Sequence, residues 1–223
     1  MEEVQLILRN CDAICFDVDS TVIRDEGIDE LAKFAGKGSE VASITANAMG
    51  GSMTYQDALS VRLNIIKPSL TMVRDFIRTC PPTLTPGIKK LVDVLHTTGR
   101  STYLVSGGFL SLITPVAKQL HIPLENVYAN RLKFYFNGDY AGFDENQPTS
   151  RTGGKAVVAQ HLKDTYGYKN LIFIGDGVTD LESSPPADAF IGYGGNVIRP
   201  AVQTKAKWFV TDFNEICDVL LAN

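Results

Sequence analysis

Two apolar runs far apart in this chain end in the same way, and that constrains its fold more than any other feature. Ala13-Ile14-Cys15-Phe16 runs into Asp17-Val18-Asp19-Ser20-Thr21, and Leu171-Ile172-Phe173-Ile174 runs into Gly175-Asp176-Gly177-Val178-Thr179-Asp180. Short apolar runs bounded by turn residues read as buried strands. Two such strands ending in acids can gather three or four carboxylates at one edge of a parallel sheet. A D-x-D by itself is often a solvated turn. Burying a lone carboxylate is costly, however, so a buried pair needs a cation or a shared chemical task. If strand geometry persists through Val18, alternation puts Asp17 and Asp19 on one face. If the chain turns there, a backbone carbonyl between them is freed for a cation.

Other runs complete an alternating pattern. Ser101 to Val105, Val127 to Ala129, Ala189 to Ile191 and Trp208 to Val210 read as further strands. A helix is expected before Ser101, with Thr85 as N-cap, Pro86 at its first position, and Ile88, Leu91, Val92 and Leu95 on one face. Gly99 can end it. A helix after Gly108 carries Leu112, Val116 and Leu120, and Pro115 predicts a kink or a later start. Another runs from Gly154 to about Tyr166, with Val158, Leu162 and Tyr166 on one face. Alternating strands and helices predict a Rossmann-like, doubly wound, mostly parallel α/β sheet. Ligands in such sheets bind beyond the carboxyl ends of the strands, where Asp17, Ser106 and Asp176 fall.

Between Val22 and about Pro82 the period changes. Four amphipathic stripes occur there: Ile28-Leu31-Ala32-Ala35, Val41-Ile44-Ala48, Tyr55-Leu59-Leu63-Ile66 and Val73-Phe76-Ile77-Cys80. Thr54 is placed to cap the third. The expected organisation is a core of residues 1–22 and 82–223, with a helical cap of residues 23–81 inserted after the first strand. That insert either closes over the site or is a peripheral bundle. Asn137-Gly138 between Leu132-Lys133-Phe134-Tyr135-Phe136 and Asp139-Tyr140-Ala141 predicts a β-hairpin flap over about 130–143.

The 223 residues suit one large domain or a core with an insert. Net charge is −4, which argues against nucleic acid or an anionic membrane as the main partner. No apolar run approaches the roughly 20 residues of a membrane span. Cys11, Cys15, Cys80 and Cys217 form no C-x-x-C pair, and no histidine lies at zinc-site spacing. Cys15 and Cys80 are expected as buried thiols, in keeping with a reducing cytoplasm. His96, His121 and His161 have no motif context and are read as structural or surface residues.

Asp17-Val18-Asp19-Ser20-Thr21, Ser106-Gly107-Gly108, Lys155 and Gly175-Asp176-Gly177-Val178-Thr179-Asp180 stand in the four-motif order of the haloacid dehalogenase superfamily of phosphotransferases, which the chain resembles over nearly its whole length. The resemblance implies Asp17 as nucleophile and Asp19 as general acid and base. It implies a Mg²⁺ site made by the Asp17 carboxylate, the Asp19 backbone carbonyl and Asp176, a set of hard oxygen ligands. Asp180 is expected to hold Lys155 or a metal-bound water, or to serve as a helix N-terminal carboxylate. Ser106, Gly107, Gly108 and Lys155 would cradle phosphate. Thr179 stands where many microbial relatives carry Asn, which leaves its phosphate contact open. In the insert, Arg62 would meet the α-carboxylate of a phosphorylated amino acid and Glu26 its α-ammonium; an internal Arg62–Glu26 ion pair is the alternative. Met49 and Gly50 would line the pocket. The activity expected is phosphate-ester hydrolysis through an aspartyl phosphate, with another small phosphate ester, or binding without turnover, as alternatives. A homodimer would fit the resemblance.

Overall fold

The computed structural model describes residues 1–49 and 54–222, and only the backbone of 45–49. Along the chain run α1 (Glu2–Arg9), β1 (Ala13–Phe16), α2 (Gly27–Phe34), α3 (Gly38–Met49), α4 (Tyr55–Ile66), α5 (Leu70–Thr79) and α6 (Ile88–Thr97). They are followed by β2 (Ser101–Phe109), α7 (Leu110–Gln119), β3 (Val127–Asn130), β4 (Leu132–Phe134), β5 (Tyr140–Phe143) and α8 (Gly154–Tyr166). The chain finishes with β6 (Leu171–Gly175), α9 (Val178–Leu181), β7 (Ala189–Tyr193), α10 (Pro200–Lys205), β8 (Phe209–Val210) and α11 (Phe213–Leu221).

Six strands form one parallel sheet in the order β3-β2-β1-β6-β7-β8. The two-residue period of a strand sorts its side chains onto two faces. Ile14 and Phe16 of β1 join Leu104, Ile172, Ile174 and Ile191 in a layer under α1, α6, α7 and α11. Ala13 and Cys15 point the other way, with Tyr103, Val105, Leu171, Phe173 and Phe190, against Val158, Ala159 and Leu162 of α8 and Val202 of α10. Both faces are covered, so β1 and β6 are apolar at every position and read as unbroken runs. From β1 the chain winds outward through β2 and β3, then returns to β6 on the other side of β1. That reversal leaves a crevice beyond the ends of β1 and β6.

Helices α2 to α5 occupy the segment after the first strand. Leu31, Ala32, Val41, Ile66 and Phe76 pack among themselves. Leu59 and Leu63 of α4 pack on Phe109 at the end of β2 and on Phe143 of the hairpin, which seats the helices at the carboxyl end of the sheet. The β4–β5 hairpin is antiparallel, and its turn is closed by the Asp139 N–H donating to Asn137 Oδ1 at 3.0 Å.

Several local expectations are corrected. Helix α6 begins at Ile88, after Gly87 in the left-handed region (φ 83°), and Thr85 does not cap it. The Thr85 hydroxyl instead donates to the Thr21 carbonyl at 2.7 Å, drawn away by an unsatisfied buried acceptor. Helix α7 starts at Leu110 and runs through Pro115. The Thr114 hydroxyl donates to the Leu110 carbonyl at 2.7 Å in the same stretch. Cys80 is exposed, because it follows the last turn of α5 and leaves the stripe on which Val73 and Phe76 are buried. Tyr166 is 55% exposed at the end of α8 and stacks on Tyr168 instead of entering the core. β2 extends four residues beyond Val105, through the Ser106-Gly107-Gly108 segment.

The two covered faces make the core sensitive to cavities. Leu91 is fully buried in α6. Leu91→Ala is expected to lower the unfolding free energy by ~2–5 kcal/mol, read from urea denaturation followed by far-UV circular dichroism.

Candidate active site

Asp17 is the first residue beyond β1. Its N–H donates to the Ile174 carbonyl at 2.9 Å, so sheet pairing with β6 continues to this residue. The chain then leaves the sheet in a wide turn over Val18–Val22, in which Ser20 takes a positive φ of 55°. Asp17 and Asp19 both keep extended backbone angles before that bend. Asp176 follows β6 directly, and Asp180 lies in the first turn of α9. Carboxylate oxygens of Asp17, Asp176 and Asp180 all lie within 4.8 Å of one another. The two acidic loops therefore meet beyond neighbouring strands, as their sequence positions predict.

Lys155, the second residue of α8, reaches into this cluster. Its Nζ donates to Asp17 Oδ1 and to Asp180 Oδ1, both at 2.5 Å. All three side chains are nearly out of solvent, at 11%, 8% and 1% exposure. Burial opposes the lysine's charge, but Asp17 and Asp180 outweigh it and hold its pKa above the ordinary value. Burial and Asp180 push the Asp17 carboxyl well up, against the pull of Lys155. Asp180 also accepts the Gly177 N–H at 2.9 Å, so it both positions Lys155 and closes the start of α9. Asp17 Oδ2 accepts no hydrogen bond among the described residues, which leaves its lone pairs available.

Asp19 sits differently. Its Oδ1 accepts the Gly27 N–H at 2.7 Å, and its Oδ2 the Ser106 hydroxyl at 3.2 Å. Burial pushes its carboxyl up despite the Gly27 N–H, which favours the protonated form that a general acid needs. Ser106 Oγ in turn accepts the Gly108 N–H at 2.8 Å. Gly107 and Gly108 permit close approach: a Cβ on Gly107 would lie 2.9 Å from Tyr55 Cζ, and one on Gly108 would lie 3.0 Å from Asp19 Oδ2. The Gly107 carbonyl accepts from the Tyr55 hydroxyl at 2.9 Å and from Asn130 Nδ2 at 2.8 Å, tying α4 and β3 to the same loop.

Glu26 accepts the Ser20 hydroxyl at 2.7 Å and pairs with Arg199 at 3.3 Å. The alternative Arg62–Glu26 pair is absent among the described residues. The Arg62 Nε donates to the Ala58 carbonyl at 3.2 Å within α4, and its guanidinium meets no carboxylate among those residues. Burial raises the Tyr55 phenol to about 12, while Arg62 and Lys155 both pull it down, so the two cations face the same space. Thr179 stands exposed in the first turn of α9 and makes no hydrogen bond among the described residues. Gly50 and the Met49 side chain lie outside the described residues.

Five further residues take part, none of them given a role from the sequence alone. Arg199 Nε donates to Asp176 Oδ2 at 2.6 Å, and the Thr21 hydroxyl to Asp176 Oδ1 at 3.1 Å. Asn196 Nδ2 reaches the Ser20 carbonyl at 3.1 Å and Thr85 Oγ1 at 2.7 Å, bracing the wide turn. Tyr55 and Asn130 fix the Gly107 carbonyl. Each is a lone polar residue whose partner is distant in sequence.

An α/β sheet with an acidic cluster at its switch point, a buried lysine and a hydroxyl loop defines a class. A family model described as haloacid dehalogenase-like hydrolase matches residues 11–188, and the chain belongs to that family. The mouse protein "Phosphoserine phosphatase" is 55% identical over 214 residues, covering 96% of this chain and 95% of the mouse protein. A solved structure described as a phospho-aspartyl intermediate analogue of phosphoserine phosphatase superposes with a TM-score of 0.80 at 27% identity, covering 93% of this chain and 98% of the other. The structure of DsGPDH of Dunaliella salina gives a TM-score of 0.86 at 33% identity; it matches 99% of this chain, which spans only 38% of that longer protein.

Glu26 supplies a pH test. Its carboxyl rises from 4.5 to about 7, through burial first and the Asp19 charge second. Between those values the folded state binds more protons than the unfolded one, so this group's contribution to stability falls as pH rises. Glu26→Gln removes that loss. In EDTA, the melting temperature of the variant relative to wild type is expected to rise from about pH 5 to about pH 8; an unchanged difference would place Glu26 in a more solvated setting.

Proposed function

We propose that this chain hydrolyses O-phospho-L-serine to L-serine and phosphate, the last step of L-serine biosynthesis. The observation that carries this is the Asp17–Lys155–Asp180 cluster, with Asp19 and Ser106 beside it, in a chain 55% identical to a phosphoserine phosphatase over nearly its full length.

The residue roles proposed here draw on that geometry. Asp17 Oδ2 attacks phosphorus, forming an acyl phosphate and breaking the bond to the serine oxygen. Lys155 holds the Asp17 carboxylate through Oδ1 and offers its positive charge to the phosphate oxygens. Asp19, whose proton burial favours, gives that proton to the departing serine oxygen. It then takes a proton from the water that cleaves the acyl phosphate. The Gly27 N–H holds Asp19 in place for both steps. Ser106 and the Gly107 and Gly108 backbone line the position of the transferring phosphoryl group. Thr179, exposed in the first turn of α9, is assigned a contact to the same phosphate.

The donor set fits a hard divalent cation, because every lone-pair donor in it is a carboxylate oxygen and the three carboxylates lie within 4.8 Å. Asp17, Asp176 and the Asp19 carbonyl would hold Mg²⁺, with Asp180 behind Lys155. When bound, the ion offsets repulsion between Asp17 and the phosphate dianion.

Specificity is assigned to the helical insert, residues 23–81, which we read as a cap over the core of residues 1–22 and 82–223. Arg62 has no carboxylate partner among the described residues, so its guanidinium is available to a substrate α-carboxylate. Glu26 would meet the α-ammonium, exchanging its contact with Arg199. Met49 and Gly50 are assigned to the pocket wall. A cytoplasmic location is supported by four free cysteines, three of them buried. Among the described residues no helix is long and apolar enough to cross a membrane.

Phosphate release from O-phospho-L-serine, with Mg²⁺ and with EDTA, tests the reading. Asp17→Asn is expected to lose roughly 10³-fold or more in kcat while still binding phosphoserine. Mg²⁺-dependent turnover that survives this change would remove Asp17 as nucleophile. Arg62→Ala is expected to lower kcat/KM for phosphoserine on the order of 10²-fold and to spare a simple aryl phosphate. Equal losses on both substrates would take Arg62 out of substrate recognition.

A further inference from the structure

Behind the wide turn that carries Asp19, on the side of β7 and α11, lies a cavity of about 460 Å³. Its walls include Arg24, Tyr193, Asn196, Asp212 and Asn214. None of these residues has a part in the chemistry assigned above except Asn196, which braces the turn.

The lining carries polar groups without partners. Tyr193 is 2% exposed and its ring stacks on Phe213 with centroids 4.2 Å apart. Its hydroxyl makes no hydrogen bond among the described residues, and the residue borders the cavity. Burial raises this phenol to about 12, with Asp212 adding to the rise and Arg24 opposing it, so both charges act at the hydroxyl. Arg24 and Asp212 nevertheless form no ion pair with each other or with any other described residue. Asp212 Oδ1 accepts from the N–H and the Nδ2 of Asn214 at 2.8 and 2.9 Å. Those bonds make Asp212 the N-cap of α11, and its carboxylate and the Arg24 guanidinium are both exposed side chains lining the cavity. The Asn196 Nδ2 is spent on the Ser20 carbonyl and Thr85, while its Oδ1 accepts nothing among the described residues.

One cavity thus presents a guanidinium and a hydroxyl donor together with a carboxylate and an amide acceptor. A simple anion would leave Asp212 facing it, and a simple cation would meet Arg24. A ligand bearing both charges on a short frame satisfies both. We propose that this cavity is a second binding site, separate from the phosphoryl-transfer site, for a small zwitterionic amino acid. Its carboxylate is held by Arg24 and the Tyr193 hydroxyl, and its ammonium by Asp212 and Asn196 Oδ1. Through Asn196 the site lies one side chain from the Val18–Val22 turn.

The test needs a local reporter, because L-serine is also the product of the reaction proposed above. The full chain, with Mg²⁺ present, is labelled with 3-fluorotyrosine and followed by ¹⁹F NMR. The Tyr193 resonance, one of eight tyrosines, is assigned by its loss in Tyr193→Phe. L-serine is expected to shift that resonance saturably in wild type and equally in Arg62→Ala. Arg24→Ala is expected to weaken the response by about tenfold. The proposal is overturned if L-serine leaves the resonance unmoved. It is also overturned if the shift vanishes in Arg62→Ala but survives Arg24→Ala, since the signal then comes from the site under the helices. An equal shift with inorganic phosphate or with ethanolamine would show a general ion site and would equally overturn it.

Discussion

The ammonium of Lys155 held between Asp17 and Asp180 is the contact on which the active end of this molecule depends. It joins the end of β1, the start of α8 and the first turn of α9, three places remote from one another in sequence. Removing the Lys155 ammonium would leave two buried carboxylates without a cation between them, a cost of ~3–5 kcal/mol. The sheet fixes where those ends lie, because β1 and β6 are neighbours in register. The cluster could not form on strands ordered differently.

Around that contact the site divides its carboxylates by environment. Asp17 is tied to a cation through one oxygen and keeps the other free, as a nucleophile requires. Asp19 is held by a backbone N–H and a hydroxyl, with burial favouring its proton, as an acid requires. Asp176 is gripped by Thr21 and Arg199, and Arg199 continues to Glu26, at the start of the helical insert. An unbroken chain of polar contacts therefore runs from the sheet edge to the helices that sit over it. The Gly107 carbonyl makes a second such link, receiving Tyr55 from α4 and Asn130 from β3.

The parts that were legible share a physical origin. β1, β6 and β7 are apolar at every position because the sheet is covered on both faces, so they stand out as runs. Asp17, Ser106 and Asp176 follow or end such runs, and a ligand site at the carboxyl ends of parallel strands makes their location meaningful. Lys155 was legible because a cation near a helix N-terminus needs a reason. The missed residues lacked such local grounds. Tyr55 and Asn196 reach partners 52 and 176 positions away, which no local pattern encodes. Thr85 had the form of a cap residue and was taken by the Thr21 carbonyl. Cys80 lay on an apolar stripe but one turn too far, past the end of its helix.

By itself the sequence determined the alternation of strands and helices, the run of helices after the first strand, the hairpin at Asn137-Gly138, and the acids and lysine that meet at the sheet edge. These follow from periodicity, turn chemistry and motif order, all of which act over a few residues. Only the tertiary structure decided that Glu26 pairs with Arg199 and that Arg62 meets no carboxylate among the described residues. It alone brought Asn196 under the Ser20 carbonyl, and Arg24, Tyr193 and Asp212 around one cavity. Such pairings depend on which buried polar groups find each other once the sheet order is set, and that choice is made by distance in space.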